Sequence, residues 1–415
     1  MSGKILYTAT SYPPAIGGAQ LHTHRIAQLM TAHNKVQVIT QWAEQRTDWL
    51  LGTTIHAPPE PYSYLFEGVP VELITLSQAE RWQLLPFILG YYLLKPIAIE
   101  QIAQRLAAKI IPWARDCRLI QNSRIGREPL SFASLKVAKH YDIPFIFVPY
   151  HHPRWVGWNY REYIDLYRQA DALIALTEVE KETLMELGVK PERVFVTGNG
   201  PHLAPTADPD RFRAQFQLDA DAPLILFLGQ KYRYKGFEAM LDAARFVWQK
   251  WPDAQFIFMG PRTEVAKEIF HKVMAGEPDF KEEAHAMRCR GILELDTVDL
   301  QTKTDALAAC TLLCVPSTQE SFGGVYTEAW MFNKAVIGGD IAAIREVIEE
   351  GVNGYVLPPT PELIAERTNY LLAHPTVAQT LGQAGHDKVL RHYSWAALVE
   401  KTEAVYRSVS LSAFS

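Results

Sequence analysis

The chain has 415 residues and 47.0 kDa, with 41 Lys and Arg against 46 Asp and Glu, a formal net charge of -5 and a pI near 6.2. At roughly 100 to 200 residues per domain this length implies two or three domains rather than one core. A composition 48% hydrophobic and 21% charged, with 24 Gly and 26 Pro, excludes low-complexity and fibrous classes, and mild acidity excludes a global basic field for nucleic acid. Cys117, Cys289, Cys310 and Cys314 are too few and too scattered for a disulfide framework or a zinc site, which fits a reducing cytoplasm. Met1-Ser2-Gly3-Lys4 enters a strand without the regions of a signal peptide. The longest apolar stretch, 84–94, is interrupted by Pro86 and closed by Lys95-Pro96, short of the roughly 20 residues of a membrane span. It reads as a helix packed on a sheet, with a place against a bilayer or a lipid groove as the alternative.

In chain order, 4–9 is a strand, 11–18 a turn-rich loop, 19–33 a helix by the spacing of Leu21, His22, Ile26, Leu29 and Met30, and 36–39 a second strand. The alternation returns with strand 118–121, helix 131–141 and strand 145–148. Strand 172–176 then leads into Thr177-x-x-Glu180, a capping-box signature. From 201 to 222 the text turns polar, with Pro201, Pro205, Pro209 and Asp208, Asp210, Asp219 and Asp221, and reads as a linker. A second series follows: strand 224–228, helix 236–251, strands 255–259 and 312–316, helix 324–332 and strand 335–338. Repeated βα units predict doubly wound, mostly parallel sheets, so the fold is α/β with two Rossmann-like domains facing a central cleft. The domains are placed at 1–200 and 223–392, with 393–415 returning to the first.

Three strand-to-helix loops have the chemistry of a phosphate site. Tyr12-Pro13-Pro14-Ala15-Ile16-Gly17-Gly18 pairs glycines with a helix start, where free N–H groups and the positive dipole end favour an anion. Phe227-Leu228-Gly229-Gln230-Lys231-Tyr232-Arg233-Tyr234-Lys235-Gly236 gathers three cations beside another helix. Glu320-Ser321-Phe322-Gly323-Gly324-Val325-Tyr326-Thr327-Glu328 sets two carboxylates eight residues apart across a third turn. Neither Gly-x-Gly-x-x-Gly nor Gly-x(4)-Gly-Lys-Ser/Thr occurs, which argues against a nicotinamide dehydrogenase or a P-loop NTPase.

The last stretch resembles the Glu-x(7)-Glu signature of the retaining group 1 glycosyltransferases, family 4 in type, with the GT-B fold. The resemblance runs nearly end to end, through Gly17-Gly18, Asn199-Gly200, 229–236, Val315-Pro316-Ser317 and 335–337 to Glu346 and Gly351-Val352-Asn353-Gly354. It implies transfer of a sugar, with retention, from a nucleotide diphosphate sugar to a glycan or lipid-linked acceptor in bacterial surface polysaccharide or glycolipid assembly. Glu328 would then bind the ribose and Glu320 face the donor sugar. Ser321, Phe322, Gly323 and Gly324 would line sugar and phosphate, Lys235 would hold the diphosphate, and Gly17, Gly18 and Gly229 would belong to the donor loops. The family usually has arginine where this chain has Gln230, so Lys231 or Arg233 would supply that charge.

The family also carries a histidine after a strand that begins with proline. Pro144 to Val148 is followed here by Pro149-Tyr150-His151-His152-Pro153-Arg154, so His151 or His152 fits that place, with Tyr150 the choice on a one-residue slip. Between Arg105 and Arg161 ten Lys and Arg face three carboxylates, a balance of +7, as suits an acidic glycan, a lipid phosphate or an anionic membrane surface. Asn122, Arg124, Arg127 and Arg154 are the expected acceptor contacts. Asp208-x-Asp210 and Asp219-x-Asp221 match a short metal-binding pattern but lie in the expected linker, so no metal and no cofactor are expected. Gln230 also supports a second reading, a catalytically weak subunit that binds nucleotide or glycan and supports a partner enzyme.

Overall fold

The computed structural model describes residues 3–15, 17–42, 50–55, 60, 62–151, 160–277, 281–283 and 285–412. The chain forms two compact units, one of Met1–Asn199 with Trp395–Ser415 and one of Gly200–Ser394.

Unit 1 is an eight-stranded sheet of β1 (Lys4–Ser11), β2 (Lys35–Trp42), β3 (Tyr62–Phe66), β4 (Val69–Leu73), β5 (Cys117–Ser123), β6 (Phe145–Val148), β7 (Ala172–Ala175) and β8 (Val194–Val196), in the order β3-β4-β2-β1-β5-β6-β7-β8. Its pairs are parallel except for the edge hairpin β3/β4, which turns on Glu67 and Gly68 at φ 44 and 83. Two consecutive positive φ values are the mark of a two-residue hairpin turn whose twist matches its strands. Near-continuous apolar runs such as Phe145–Val148 follow from burial on both sheet faces. The helices Lys95–Ala114 and Pro129–Tyr141 bury Ile99, Ile102, Leu106, Leu130 and Val137 in the same core as Leu6, Ile39 and Ile120. Lys95 sits inside, 2.9 Å from Glu128 and 2.7 Å from Glu162. The last helix, Trp395–Ser412, belongs to this unit: Tyr406 donates to Gln121 Oε1 at 2.5 Å, which leaves Tyr7 to donate to Tyr406 at 2.9 Å.

Unit 2 repeats the plan with β9 (Leu224–Leu228), β10 (Gln255–Met259), β11 (Lys281–Glu282), β12 (Ala286–Cys289), β13 (Ile292–Leu295), β14 (Leu312–Val315), β15 (Ala335–Gly339) and β16 (Tyr355–Leu357), ordered β11-β12-β13-β10-β9-β14-β15-β16. Only β11/β12 and β12/β13 run antiparallel. The stretch 201–222 is not a linker but is folded onto this unit. Asp208 caps the helix Pro209–Gln215 by accepting from Asp210 N and Arg211 N, both at 3.1 Å, and Arg211 grips Asp305 at 2.6 and 2.8 Å. Seven residues are too few for an apolar period to show in sequence. Asp219 likewise accepts from Asp221 N, so both Asp-x-Asp pairs serve local backbone caps. Among the described residues no helix is long and apolar enough to cross a membrane.

Candidate functional site

In unit 2 the charged groups collect at the carboxyl ends of β9 and β14. The loop after β9 folds into a turn, Arg233–Lys235, closed by Gly236 at φ 78; a Cβ there would lie 2.4 Å from Pro316 O, so only glycine lets this loop meet the one after β14. Thr318 N donates to Tyr234 O at 2.8 Å and joins the two loops. Lys235 Nζ pairs with Glu320 Oε1, both largely shielded. Gly323 turns at φ 80 into the helix Gly324–Trp330, with Ser321 ahead of it and Phe322 anchored edge-to-face on Tyr393 at 5.1 Å. One turn into that helix, buried Glu328 accepts from Lys303 Nζ at 2.7 Å and from His202 N at 3.3 Å, while Lys303 also donates to His202 O at 2.6 Å. Glu320 and Glu328 are thus each matched with one lysine, an arrangement of charge suited to polar and anionic ligands.

Lys231 departs from expectation. It is fully buried, 2.7 Å from Glu294 and 2.7 Å from Leu295 O, and donates also to Gly260 O. Glu294 takes Arg262 on its other oxygen at 2.5 Å, and burial pulls the Lys231 ammonium below its ordinary range. Lys231 is therefore a core fixture and does not replace the missing arginine. Arg233 points to solvent, 3.3 Å from Glu238. Gln230 is half-buried, and Gly229, at the end of β9, donates its N–H to Met259 O at 2.9 Å.

Unit 1 furnishes its strand ends mainly with rings and hydroxyls, with the Glu180 carboxylate and the Arg124 guanidinium buried among them. Gly17 precedes the helix Gly18–Met30, and its carbonyl accepts from Leu21 N at 3.0 Å. Buried His22 sets Nδ1 2.8 Å from Tyr150 Oη, and Thr23 bridges Ser123 at 2.8 Å and Tyr150 at 3.2 Å. These contacts hold Tyr150 at φ 43, which an aromatic residue rarely adopts. His151 follows, buried, with Nδ1 3.2 Å from Tyr167 Oη and its N–H on Glu180 Oε1 at 2.6 Å. Thr177 caps Glu180 N as its motif predicts, but the Glu180 carboxylate reaches instead to Leu176 N and His151 N. The Nε2 atoms of His22 and His151 are buried with no hydrogen-bond partner among the described residues. Burial holds both imidazoles down at about 4, with Arg124 adding to the effect at His151.

Of the expected acceptor contacts, Asn122 is instead a buried brace donating to Thr8 O and Thr8 Oγ1 at 3.0 and 2.8 Å. A polar side chain on the second-last residue of a central strand is more readily satisfied by the neighbouring strand than by solvent. Arg124 is also buried, 2.5 Å from Tyr167 Oη and 3.8 Å above the Tyr163 ring. Arg127 is half-buried and donates to Tyr92 Oη at 2.8 Å. His152 and Arg154 lie outside the described residues. Lys303 and the pair Glu294 and Arg262 were not singled out in sequence, while His22 was read only as part of a helix spacing and Glu180 only as a cap: a lysine in an amphipathic helix reads as solvated, and no local pattern shows a contact across strands.

Residues 208–388 match the family described as glycosyl transferases group 1. The alpha-maltose-1-phosphate synthase of Mycolicibacterium smegmatis is 27% identical over 260 residues, covering 58% of this chain and 64% of that protein. A phosphatidyl-myo-inositol mannosyltransferase of Mycobacterium tuberculosis is 28% identical over 216 residues, covering 49% and 52%. The chain therefore spans less than two thirds of the length of these curated relatives. Among solved structures, Anabaena Alr3699/HepE in complex with UDP and glucose superposes with a TM-score of 0.72 at 19% identity, over 98% of this chain and 100% of that one. The two parallel-dominated sheets are those of the GT-B fold. The match to the group 1 glycosyltransferases thus lies within unit 2, at residues 208–388, and the fold of the two units is GT-B.

Proposed function

We propose that this protein transfers a sugar, with retention at the anomeric carbon, from a nucleotide diphosphate sugar to a glycan or lipid-linked acceptor. The observation that carries the reading is the pair of glutamates on one strand-to-helix turn, Glu320 beside Lys235 and Glu328 beside Lys303. In this reading Glu328 holds the ribose hydroxyls, Glu320 the donor sugar, and Lys235 the diphosphate. The bond from the anomeric carbon to the diphosphate breaks as the acceptor oxygen bonds to that carbon on the same face. The acceptor proton passes to an oxygen of the departing phosphate. Positioning and electrostatics do most of the work, without metal or added cofactor, and the strand ends of unit 1 take the acceptor side. The names of the relatives, an alpha-maltose-1-phosphate synthase and a phosphatidyl-myo-inositol mannosyltransferase, support sugar transfer and a glycolipid setting, and the UDP-glucose bound by the Anabaena neighbour supports the donor class.

A second reading, a catalytically weak subunit, draws on one observation: Gln230 is neutral and Lys231 is turned into the core, which leaves Lys235 and exposed Arg233 to meet the phosphates. The two are separated by thermal unfolding of the purified protein with UDP, GDP, ADP, CDP and dTDP in turn, UDP first because the Anabaena neighbour binds it. One nucleotide at about 100 times its dissociation constant should add about 2.7 kcal/mol. Glu328→Ala should erase that gain, and hydrolysis or transfer from the matching nucleotide sugar should follow. No response to any nucleotide would overturn the donor site; a response without turnover would favour the weak subunit.

A further inference from the structure

The helix Gln78–Leu89 begins with a capping box, in which Ser77 and Glu80 satisfy each other's backbone N–H, and ends at Gly90 before the helix Lys95–Ala114. Leu84, Ile88 and Tyr91 turn inward to the core of unit 1. The opposite side of this helical hairpin does not: Leu93 is 88% exposed, Leu89 72%, Trp82 66%, and Ile97, Leu94 and Tyr92 about half. From Trp82 to Ile97 the sequence contains one charged residue, Lys95, and that lysine is buried between Glu128 and Glu162. The exposed face therefore presents large apolar side chains and no charge. Monomeric soluble proteins rarely leave such a patch contiguous without a use for it.

The rim of this face is cationic. Arg105 donates to Gln83 Oε1 at 2.5 Å and Arg127 to Tyr92 Oη at 2.8 Å, both partners being neutral residues of the hairpin. Neither guanidinium forms an ion pair with a carboxylate among the described residues, and the sequence from Arg105 to Arg161 carries the +7 balance noted above. A Trp and a Tyr beside leucines, bordered by arginines, suit the boundary between acyl chains and headgroups, where the rings sit at the interface and the cations meet lipid phosphate. A second copy of the chain fits less well, because a twofold contact through this face would bring Arg105 and Arg127 against their own counterparts.

We infer that the hairpin tip of unit 1, led by Trp82, Leu89, Leu93 and Leu94, is a docking surface for an anionic phospholipid bilayer, on which the protein lies without crossing it. The inference goes beyond sugar transfer and does not depend on it. The test uses the full chain and flotation with vesicles of phosphatidylglycerol and phosphatidylcholine in equal parts, against phosphatidylcholine alone. Partition should favour the anionic vesicles, fall with salt, and drop roughly tenfold for each leucine replaced in Leu89→Ser and Leu93→Ser. Both leucines face solvent, so the variants should keep the wild-type unfolding temperature. Their thermal response to nucleotide reads unit 2 separately, so failure of the membrane inference and failure of the donor site stay distinguishable. Three results would overturn the inference: no binding to anionic vesicles, equal binding by wild type and the double variant, or self-association without vesicle binding that the double variant abolishes.

Discussion

At its strand ends unit 1 buries rings and hydroxyls, His22, Tyr150, Thr23, Ser123 and His151, whereas unit 2 pairs charges at the corresponding ends, Lys235 with Glu320 and Lys303 with Glu328. Two sheets of the same size and nearly the same strand order thus carry different chemistry at their strand ends. Paired charges can exchange partners with a diphosphate at small cost in desolvation, because the ions are already half-shielded and matched. Neutral buried donors and acceptors suit hydroxyl groups, whose hydrogen bonds they satisfy without a net charge.

The sharpest way to break this comparison is at Lys231, which by position belongs to the charged loop and by burial to the core. Lys231→Ala should cost about 3 kcal/mol in denaturant unfolding, because Glu294 loses one of its two cations and two carbonyls lose a donor. A loss below about 1 kcal/mol would return Lys231 to the ligand-binding set. Next in size is Glu328→Ala, which should remove the roughly 2.7 kcal/mol of nucleotide stabilisation, measured against the variant's own apo unfolding temperature, which should itself fall because Lys303 and His202 N lose their acceptor.

Protonation distinguishes the units in another way. His22 and His151 stay neutral when folded until about pH 4, whereas the unfolded chain takes up protons near its ordinary value of about 6.5. The unfolded state therefore binds more protons throughout that window, and stability should fall as pH is lowered from about 6.5 to 4, by on the order of 2 to 3 kcal/mol for each histidine. His22→Gln and His151→Gln should each flatten that slope in thermal unfolding; unchanged slopes would show that these imidazoles are not the groups responsible. The smallest effect is expected from Gln230→Arg, which adds a cation to the loop after β9 and, on the proposed donor site, should tighten nucleotide binding by about 1 kcal/mol, roughly fivefold in calorimetry.

The sequence made the βα alternation legible because parallel strands buried on both faces stand out as apolar runs, as in Phe145–Val148 and Leu312–Val315. Glu320 and Glu328 were legible as well, since one loop carries both and Gly323-Gly324 marks the turn between them. What stayed hidden depends on contacts between distant segments. Lys303 meets Glu328 from another helix, Lys231 finds Glu294 from another strand, and Glu180 leaves its own cap for the backbone of His151. Charge in a loop reads the same whether it faces a ligand or plugs the core, and only the tertiary fold separates the two. The region 201–222 misled for the opposite reason, as Asp208, Pro209 and Asp210, which resemble part of a flexible connection, are the cap and first turn of a short helix.

The helix Trp395–Ser412 closes unit 1 from the far end of the chain, so all of Gly200–Ser394 is made between the two parts of one domain. During synthesis the hydroxyl of Tyr7 waits 399 residues for that of Tyr406, a delay of about 20 to 80 s at typical ribosomal speeds. Throughout that interval the central strand β1 has emerged without the partner that completes its buried hydrogen bonds. All of unit 2 is therefore made before the helix Trp395–Ser412 can complete the buried hydrogen bonds of unit 1.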